Sequence, residues 1–158
     1  MSANEEICCP RFDPAPWDGK TLTWQGKRFV QDRVTSLFHI PLNYGAVMTR
    51  MEATIRAAGA KLEVPVMLTD ENSLWGANVY VEVGKDVPGA KMATISGTFM
   101  CKVFEGPYSQ IGSWVEAMQT WLAGEGKTSG KLYFYYTTCP KCQKKYGKNY
   151  VVLLAQVN

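Results

Sequence analysis

Several catalytic motifs are missing from this 158-residue sequence, and histidine is almost absent. Neither of the glycine-rich phosphate loops, Gly-x-x-x-x-Gly-Lys-Ser/Thr and Gly-x-Gly-x-x-Gly, occurs, which excludes the common nucleotide-binding sites. A serine or cysteine nucleophile activated by histidine would depend on His39, the only histidine, and there is no Gly-x-Ser-x-Gly elbow. We therefore expect His39, which lies at a strand end, to be a structural residue.

Long apolar runs and a strong net charge are also lacking. No segment approaches the roughly 18 apolar residues that a membrane-spanning helix needs, and the acidic start MSANEEICCP has no apolar signal core. The formal charge of +3 is too small to indicate a nucleic-acid binder. We therefore expect a cytoplasmic protein without membrane or nucleic-acid partners, in which the five cysteines are reduced.

Two segments have the apolar periodicity of amphipathic helices. The first apolar face spans residues 44–58 and can end at Gly59, and the second spans residues 111–122 and can end at Gly124. Each helix follows a strand and a turn that contains a proline. The two entry segments are FHIPLNYG at 38–45 and KVFEGPYS at 102–109.

Extended segments surround the helices and complete two similar halves. Gln25-Gly26 predicts a hairpin turn, and Pro65 predicts an edge position for the extended stretch 62–68. Further strands are predicted at 34–40, 75–83, 91–104, 131–137 and 150–157. Each half therefore contains a strand, a helix and two more strands.

This order predicts an α+β fold of two β-α-β-β pseudo-repeats, at about 28–84 and 90–158. Antiparallel sheets would carry both helices on one side and leave a shallow groove on the other. The predicted single domain covers 20–158, and residues 1–19, which contain three prolines, form an irregular lead-in.

Side chains alternate along the inner strands, so the sequence predicts which residues line this groove. If Val79, Val81 and Phe134 face the helices, then Tyr80, Tyr133 and Tyr135 face the opposite side. Tyrosine also favours strands for packing reasons alone, so a core position for these rings stays open.

The second half, from PGAKMATISGTFMCKVFEGPYSQIGSWVEAMQTWLAGEG onward, resembles GyrI-like small-molecule-binding domains. The resemblance is carried by a strand, then Gly106-Pro107-Tyr108, a helix that ends in Trp121-Leu122 before glycines, and a strand pair. The segments CCPRFDPAPWDGK, VTSLFHIPLNYG and YFYYTTCPKCQKKYGKNYVV resemble the compact stand-alone branch that is often labelled "hydrolase". Together these segments extend the resemblance over residues 8–157.

The resemblance implies a tandem SHS2-type fold with a ligand groove between the halves. In the superfamily this groove binds bulky, often aromatic or cationic compounds. Some enzymatic members are similar to cyclopropanoid cyclopropyl hydrolases, which hold DNA-alkylating natural products in an aromatic cage and open their strained ring by adding water. Many relatives carry a carboxylate on the penultimate strand, whereas residues 133–136 here contain no acid, so charge-based recognition of cations is in doubt there.

The candidate site residues are aromatic side chains and one carboxylate. Glu82 shares a strand face with Tyr80, and a carboxylate beside rings could orient water or protonate a leaving oxygen. The hydroxyl of Tyr133 could stabilise negative charge that develops on a carbonyl oxygen. Glu82 and Tyr133 are thus the predicted catalytic residues, although Glu82 could instead pair with a lysine at a strand end. The predicted ligand-binding residues are Trp75, Tyr80, Tyr108 and Tyr135.

Three functions fit these patterns. The first is a xenobiotic-binding protein that hydrolyses its ligand, the second is a binding or sequestering module without turnover, and the third is a zinc-stabilised interaction domain. The third rests on the Cys-x-x-Cys at 139–142 and the adjacent pair at 8–9, because four thiolates can hold zinc tetrahedrally. The possible zinc ligands are Cys8, Cys9, Cys139 and Cys142, and no other cofactor is expected.

Overall fold

The computed structural model describes residues 12–37, 40–41, 44–62, 65–73, 76–128, 130–137, 147 and 149–157. The elements in chain order are β1 (Thr21–Leu37), β2 (Ile40–Pro41), α1 (Tyr44–Ala57), β3 (Met67–Ser73), β4 (Gly76–Glu82), β5 (Met92–Glu105), a 3-10 turn (Tyr108–Gln110), α2 (Ile111–Gly124), β6 (Leu132–Tyr136) and β7 (Tyr150–Val157). The pairs β1–β4, β3–β4 and β6–β7 are antiparallel. The predicted α+β class and the order of elements in both repeats are confirmed.

The chain divides into two compact units, which we describe separately. One consists of residues 23–98, and the other consists of the described residues within 1–22 and 99–158. We call them the α1 unit and the α2 unit after the helix that each contains. The predicted bounds of the lead-in and of the single domain stay predictions.

In the α1 unit, β4 lies between β1 and β3. Val30 of β1 is opposite Val81 of β4, and Tyr80 is opposite Gln31 on one side and Leu68 on the other. Alternate residues of these strands pack against α1, and each fully buried side chain of this size contributes roughly 1.5–3 kcal/mol. The buried members of this core include Val30, Val34, Val47, Met51, Ile55, Val79, Val81 and Val83.

Two strands of the α1 unit differ from the prediction. The hairpin predicted at Gln25-Gly26 is wrong, because one 17-residue strand runs through this position. Gly26 has a φ of +61° and donates its amide hydrogen to the Ser96 hydroxyl at 2.7 Å, so the glycine is accommodated inside the strand. The strand predicted at 62–68 instead occupies Met67–Ser73, after Pro65, whose ring nitrogen has no hydrogen to donate to a ladder.

In the α2 unit, β6 and β7 pair in register, with Phe134 opposite Leu153. The buried face of α2 presents Trp114, Met118 and Leu122 to this pair. Phe134 and alternate residues of β7 complete the core on the helix side. The buried members of β7 in this core are Val151, Leu153, Ala155 and Val157.

Both helices end in the same motif. Gly59 follows α1 with a φ of +68°, and the amide of Ala60 donates to the Ile55 carbonyl at 3.1 Å. After α2, Gly126 has a φ of +70°, and the amide of Lys127 donates to the Leu122 carbonyl at 2.9 Å. This is the Schellman arrangement, which needs a left-handed residue. The prediction for Gly59 is confirmed, whereas Gly124 is the last helical residue and Gly126 is the left-handed one.

Candidate functional site

In each unit the strands have a second face that does not pack against the helix. In β6, Leu132, Phe134 and Tyr136 belong to the α2 core, so alternation places Tyr133 and Tyr135 on the opposite face. In β4, Val79 and Val81 belong to the α1 core, which places Tyr80 opposite the helix in its unit. These opposite faces carry most of the predicted site residues.

In the α2 unit, four rings form an aromatic cluster, defined here as Phe12, Trp17, Tyr135 and Tyr150. The Trp17 and Tyr135 centroids are 5.4 Å apart, and Phe12 lies 5.9 Å from Tyr135 and 5.8 Å from Tyr150. Tyr135 is buried, whereas the other three rings are only partly buried. The cluster therefore presents aromatic surface at the edge of the unit, on the sheet face opposite α2.

Backbone hydrogen bonds hold the segment that supplies Phe12 and Trp17. The amides of Trp17 and Asp18 both donate to the Pro14 carbonyl, at 3.0 and 2.9 Å, which closes a turn. Cys101 then forms two backbone bonds with this segment: its carbonyl accepts the Gly19 amide hydrogen at 3.0 Å, and its amide donates to the Lys20 carbonyl at 2.9 Å. The predicted lead-in thus becomes part of the unit that contains β6 and β7.

Tyr133 lies further along the same face of β6 and is 5 % exposed. Its ring meets Phe99 edge-on with the centroids 6.0 Å apart, and the Lys131 ammonium lies 5.6 Å from the ring centroid. A cation at this distance is attracted by the ring quadrupole. Tyr133 is thus a buried ring beside a charge.

In the α1 unit, Tyr80 is 7 % exposed and packs edge-on against Phe29 at 6.2 Å between centroids. Glu82, two residues along β4, uses both carboxylate oxygens. Oε2 pairs with the Lys27 ammonium at 2.8 Å, and Oε1 accepts the Val66 amide hydrogen at 3.0 Å. These contacts fix the orientation of the carboxylate.

The sequence analysis missed Asp70, a buried carboxylate on the Tyr80 face. Asp70 is 4 % exposed and lies opposite Asn78 in the ladder, two pairs along from Leu68 and Tyr80. Phe12, Trp17 and Tyr150 were missed as well. An acid in a strand can indicate such a site, but the strand was predicted to end at residue 68, so Asp70 fell in a loop.

The chain matches the protein family described as "Bacterial hydrolase" over residues 1–157. It belongs to this family. No curated protein matches the sequence significantly. This match confirms the resemblance to the branch that is labelled "hydrolase".

Solved structures with the same fold have low sequence identity to this member of the family. The C-terminal domain of EcmrR has a TM-score of 0.69 and 11 % identity, with 90 % of this chain and 98 % of that chain covered. A hydrolase from Listeria innocua has a TM-score of 0.64 and 14 % identity, with coverages of 89 % and 93 %. SAV2435, solved with bound tetraphenylphosphonium, has a TM-score of 0.53 and 10 % identity, with coverages of 88 % and 93 %.

Several predicted residues of this family member lie outside the described residues. Trp75, His39 and all four possible zinc ligands are among them, so their predicted roles stay predictions. Tyr108 begins the 3-10 turn before α2, but its side chain is not described. The groove that the resemblance implies between the two repeats also stays a prediction.

The described residues also bear on two further kinds of partner, metal ions and membranes. Among the described residues, no group of three or more histidine, cysteine, aspartate or glutamate side chains could hold a metal ion. Within the same residues, no helix has the length and apolar character needed to cross a bilayer.

Proposed function

We propose that this protein binds a bulky hydrophobic small molecule on its aromatic cluster and adds water to it. The observation that carries this proposal is the aromatic cluster of Phe12, Trp17, Tyr135 and Tyr150. Three of its four rings are partly exposed, and the cluster lies on the face that does not pack against α2. Such rings offer large, rigid apolar area, and each good ring–ring contact adds about 0.5–1.5 kcal/mol beyond area burial. An aromatic compound fits such a surface.

The class of ligand is supported by SAV2435, a structural neighbour that was solved with tetraphenylphosphonium. That ion combines four phenyl rings with a positive charge, so it can interact with aromatic side chains both by ring contact and by cation–π attraction.

Water addition is supported by the family description and by the chemistry of the superfamily that the sequence resembles. In the ring opening of an activated cyclopropane, the water oxygen bonds to a ring carbon while a carbon–carbon bond breaks. Its electron pair moves into the conjugated carbonyl, and the proton released by water ends on the carbonyl oxygen. We propose that the Tyr133 hydroxyl stabilises the carbonyl charge. Glu82, in the α1 unit, stays a predicted water-positioning residue, and its role is tested by itself.

A second candidate function is binding without turnover. It is favoured by the contacts of Glu82, since both carboxylate oxygens are already engaged by Lys27 and by the Val66 amide. With both oxygens engaged, the carboxylate has less capacity to accept a hydrogen bond from a water molecule and orient it. Under this alternative the protein sequesters its ligand.

Titration with tetraphenylphosphonium, followed by tryptophan fluorescence and calorimetry, tests the binding site. Trp17→Ala and Tyr135→Ala should each weaken binding by about 3–10-fold or more, because each removes a ring from the cluster. Tyr136→Ala is the matched control, since Tyr136 lies on the same strand but packs on the α2 side. Equal weakening in all three variants would contradict a site on the aromatic cluster.

Incubation with a cyclopropane-bearing DNA alkylator, followed by mass spectrometry, separates the two functions. Hydrolysis predicts a product heavier by one water, formed over many turnovers per protein molecule. Recovery of the unchanged compound bound to the protein would favour sequestration. If the compound neither reacts nor binds, this ligand class is wrong.

A further inference from the structure

The α1 unit contains a second concave region that the proposed function does not use. It is a pocket of about 380 Å³ formed by β1, α1, Asn78 of β4 and the residues just before β5. Its volume falls within the range of about 300–1,000 Å³ that is usual for small-molecule sites. None of the described residues that line it is aromatic, so a different kind of ligand is required.

The lining of this pocket is rich in positive charge. Arg33, Arg50 and Lys91 contribute three cations, and Asp32 contributes the only carboxylate among the described lining residues. The whole chain has a formal charge of only +3, so a surplus of two charges in one pocket is a local concentration. Cationic clefts attract anions over distances of about one Debye length, roughly 8 Å at physiological ionic strength.

Hydrogen bonds hold the two guanidinium groups in place. Nε and Nη2 of Arg50 both donate to Asp32 Oδ2, at 3.2 and 2.7 Å. Asp32 Oδ1 accepts the backbone amide hydrogen of Arg33 at 2.7 Å, and Arg33 Nη1 donates to Asn78 Oδ1 at 3.2 Å. One chain of contacts therefore links Arg50 and Asp32, on the α1 side of β1, to Arg33 and Asn78 on the other face of the strands.

The contacts leave donors available to a ligand. A guanidinium has five N–H donors. Arg50 donates to Asp32 only through Nε and Nη2, so this contact does not use the hydrogens of Nη1. A fixed guanidinium loses less side-chain entropy when it binds a carboxylate or phosphate than a mobile one does. Lys91, the residue just before β5, adds a point charge to the lining. Its carbonyl accepts the Gln31 amide hydrogen at 2.8 Å, which holds the Lys91 backbone beside β1.

We propose that this pocket binds a small molecule through an anionic group, a carboxylate or a phosphate, held by Arg50 and Lys91. The site lies wholly within the α1 unit and is independent of the aromatic cluster. Its occupant would be a polar anion, in contrast to the hydrophobic ligand proposed above.

Two-dimensional amide NMR on the full chain tests this site, with inorganic phosphate and succinate as separate probes. Sodium chloride keeps the ionic strength constant, so that screening does not change during the titration. We expect saturable shifts of the Gln31 and Lys91 amides with at least one probe. Shifts with phosphate alone identify phosphate-bearing ligands, shifts with succinate alone identify carboxylates, and shifts with both identify the shared anion chemistry.

Variants decide whether the shifts report this pocket. Arg50→Gln should weaken binding by about tenfold, the loss expected for a charge-assisted hydrogen bond. Lys91→Gln, at an exposed position, gives a second variant that does not disturb the Asp32 contacts. Arg56→Gln is the matched control on the same helix, because Arg56 pairs with Glu52 and does not line the pocket. Absence of saturable shifts with both probes, or equal weakening in the Arg56→Gln control, would overturn the proposal.

Discussion

The rings of Phe12 and Tyr135 meet edge to face, with centroids 5.9 Å apart and planes at 83°. This contact joins a segment from the start of the chain to the strand β6, more than a hundred residues later. Edge-to-face geometry is favourable because the positive ring edge meets the negative ring face. The chain segment predicted as an irregular lead-in is therefore part of the packing of the α2 unit.

Removal of a ring from the aromatic cluster should lower stability as well as ligand affinity. Trp17→Ala should lower the free energy of unfolding by about 1–3 kcal/mol, less than a fully buried tryptophan because the ring is only partly buried. Urea titration followed by circular dichroism measures this change. Trp17→Phe keeps a ring and should recover most of the loss, and a Trp17→Ala protein as stable as the parent would show that the segment contributes no packing.

Replacement of Glu82 by glutamine separates catalysis from structure. If Glu82 acts on water, Glu82→Gln should lower kcat by about 10²–10⁴-fold and leave ligand affinity unchanged. Loss of the pair with Lys27 should also cost up to about 1 kcal/mol of stability, since both side chains are partly exposed. Glu52→Gln on α1 is the matched control, because Glu52 also pairs with basic residues. Full turnover in Glu82→Gln would remove Glu82 from the mechanism.

The two glycines at the end of α2 should respond to alanine in opposite directions. Gly126 has a φ of +70°, so Gly126→Ala should cost about 1 kcal/mol through backbone strain. Gly124 is helical and an added Cβ meets no atom within 4 Å, so Gly124→Ala should stabilise by up to about 1 kcal/mol. Thermal unfolding of both variants gives the comparison. Changes of the same sign would show that the Schellman ending is wrong.

The buried thiol of Cys101 should make stability fall at alkaline pH. Burial raises the pKa of Cys101 from 9.0 to about 12, because the thiolate would lose its hydration. Since the pKa is higher in the folded state, the unfolded chain loses its proton first, and stability decreases as pH rises from about 9 to about 12. The decrease should disappear in Cys101→Ala, measured by urea titration at several pH values.

The same residue predicts a difference in chemical reactivity. A variant in which Cys8, Cys9, Cys139 and Cys142 are serine leaves Cys101 as the only thiol. A thiol reagent at pH 8 should modify it slowly in the folded protein and fully in denaturant, because the thiolate is the reactive form. Equal rates in both states would contradict burial of this side chain.

The sequence by itself determined the elements that depend on local pattern. Both helices follow from the spacing of apolar residues, β4 follows from alternation, and β6 and β7 follow from short aromatic and apolar runs. The opposite faces of Phe134 and Tyr135 follow from the same rule, since neighbouring side chains of a strand point to opposite faces. Gly59 could be recognised as a helix end because a left-handed residue is needed there.

Only the tertiary structure decided features that depend on contacts between distant segments. The hairpin expected at Gln25-Gly26 is a continuous strand because β4 and β5 pair with β1, and local turn preference cannot report those partners. Asp70 is buried through the register of β3 on β4, and Phe12 and Trp17 reach the site because the start of the chain pairs with the segment around Cys101. Residue type alone predicted aromatic and acidic candidates, but burial and long-range pairing determine which of them share a surface.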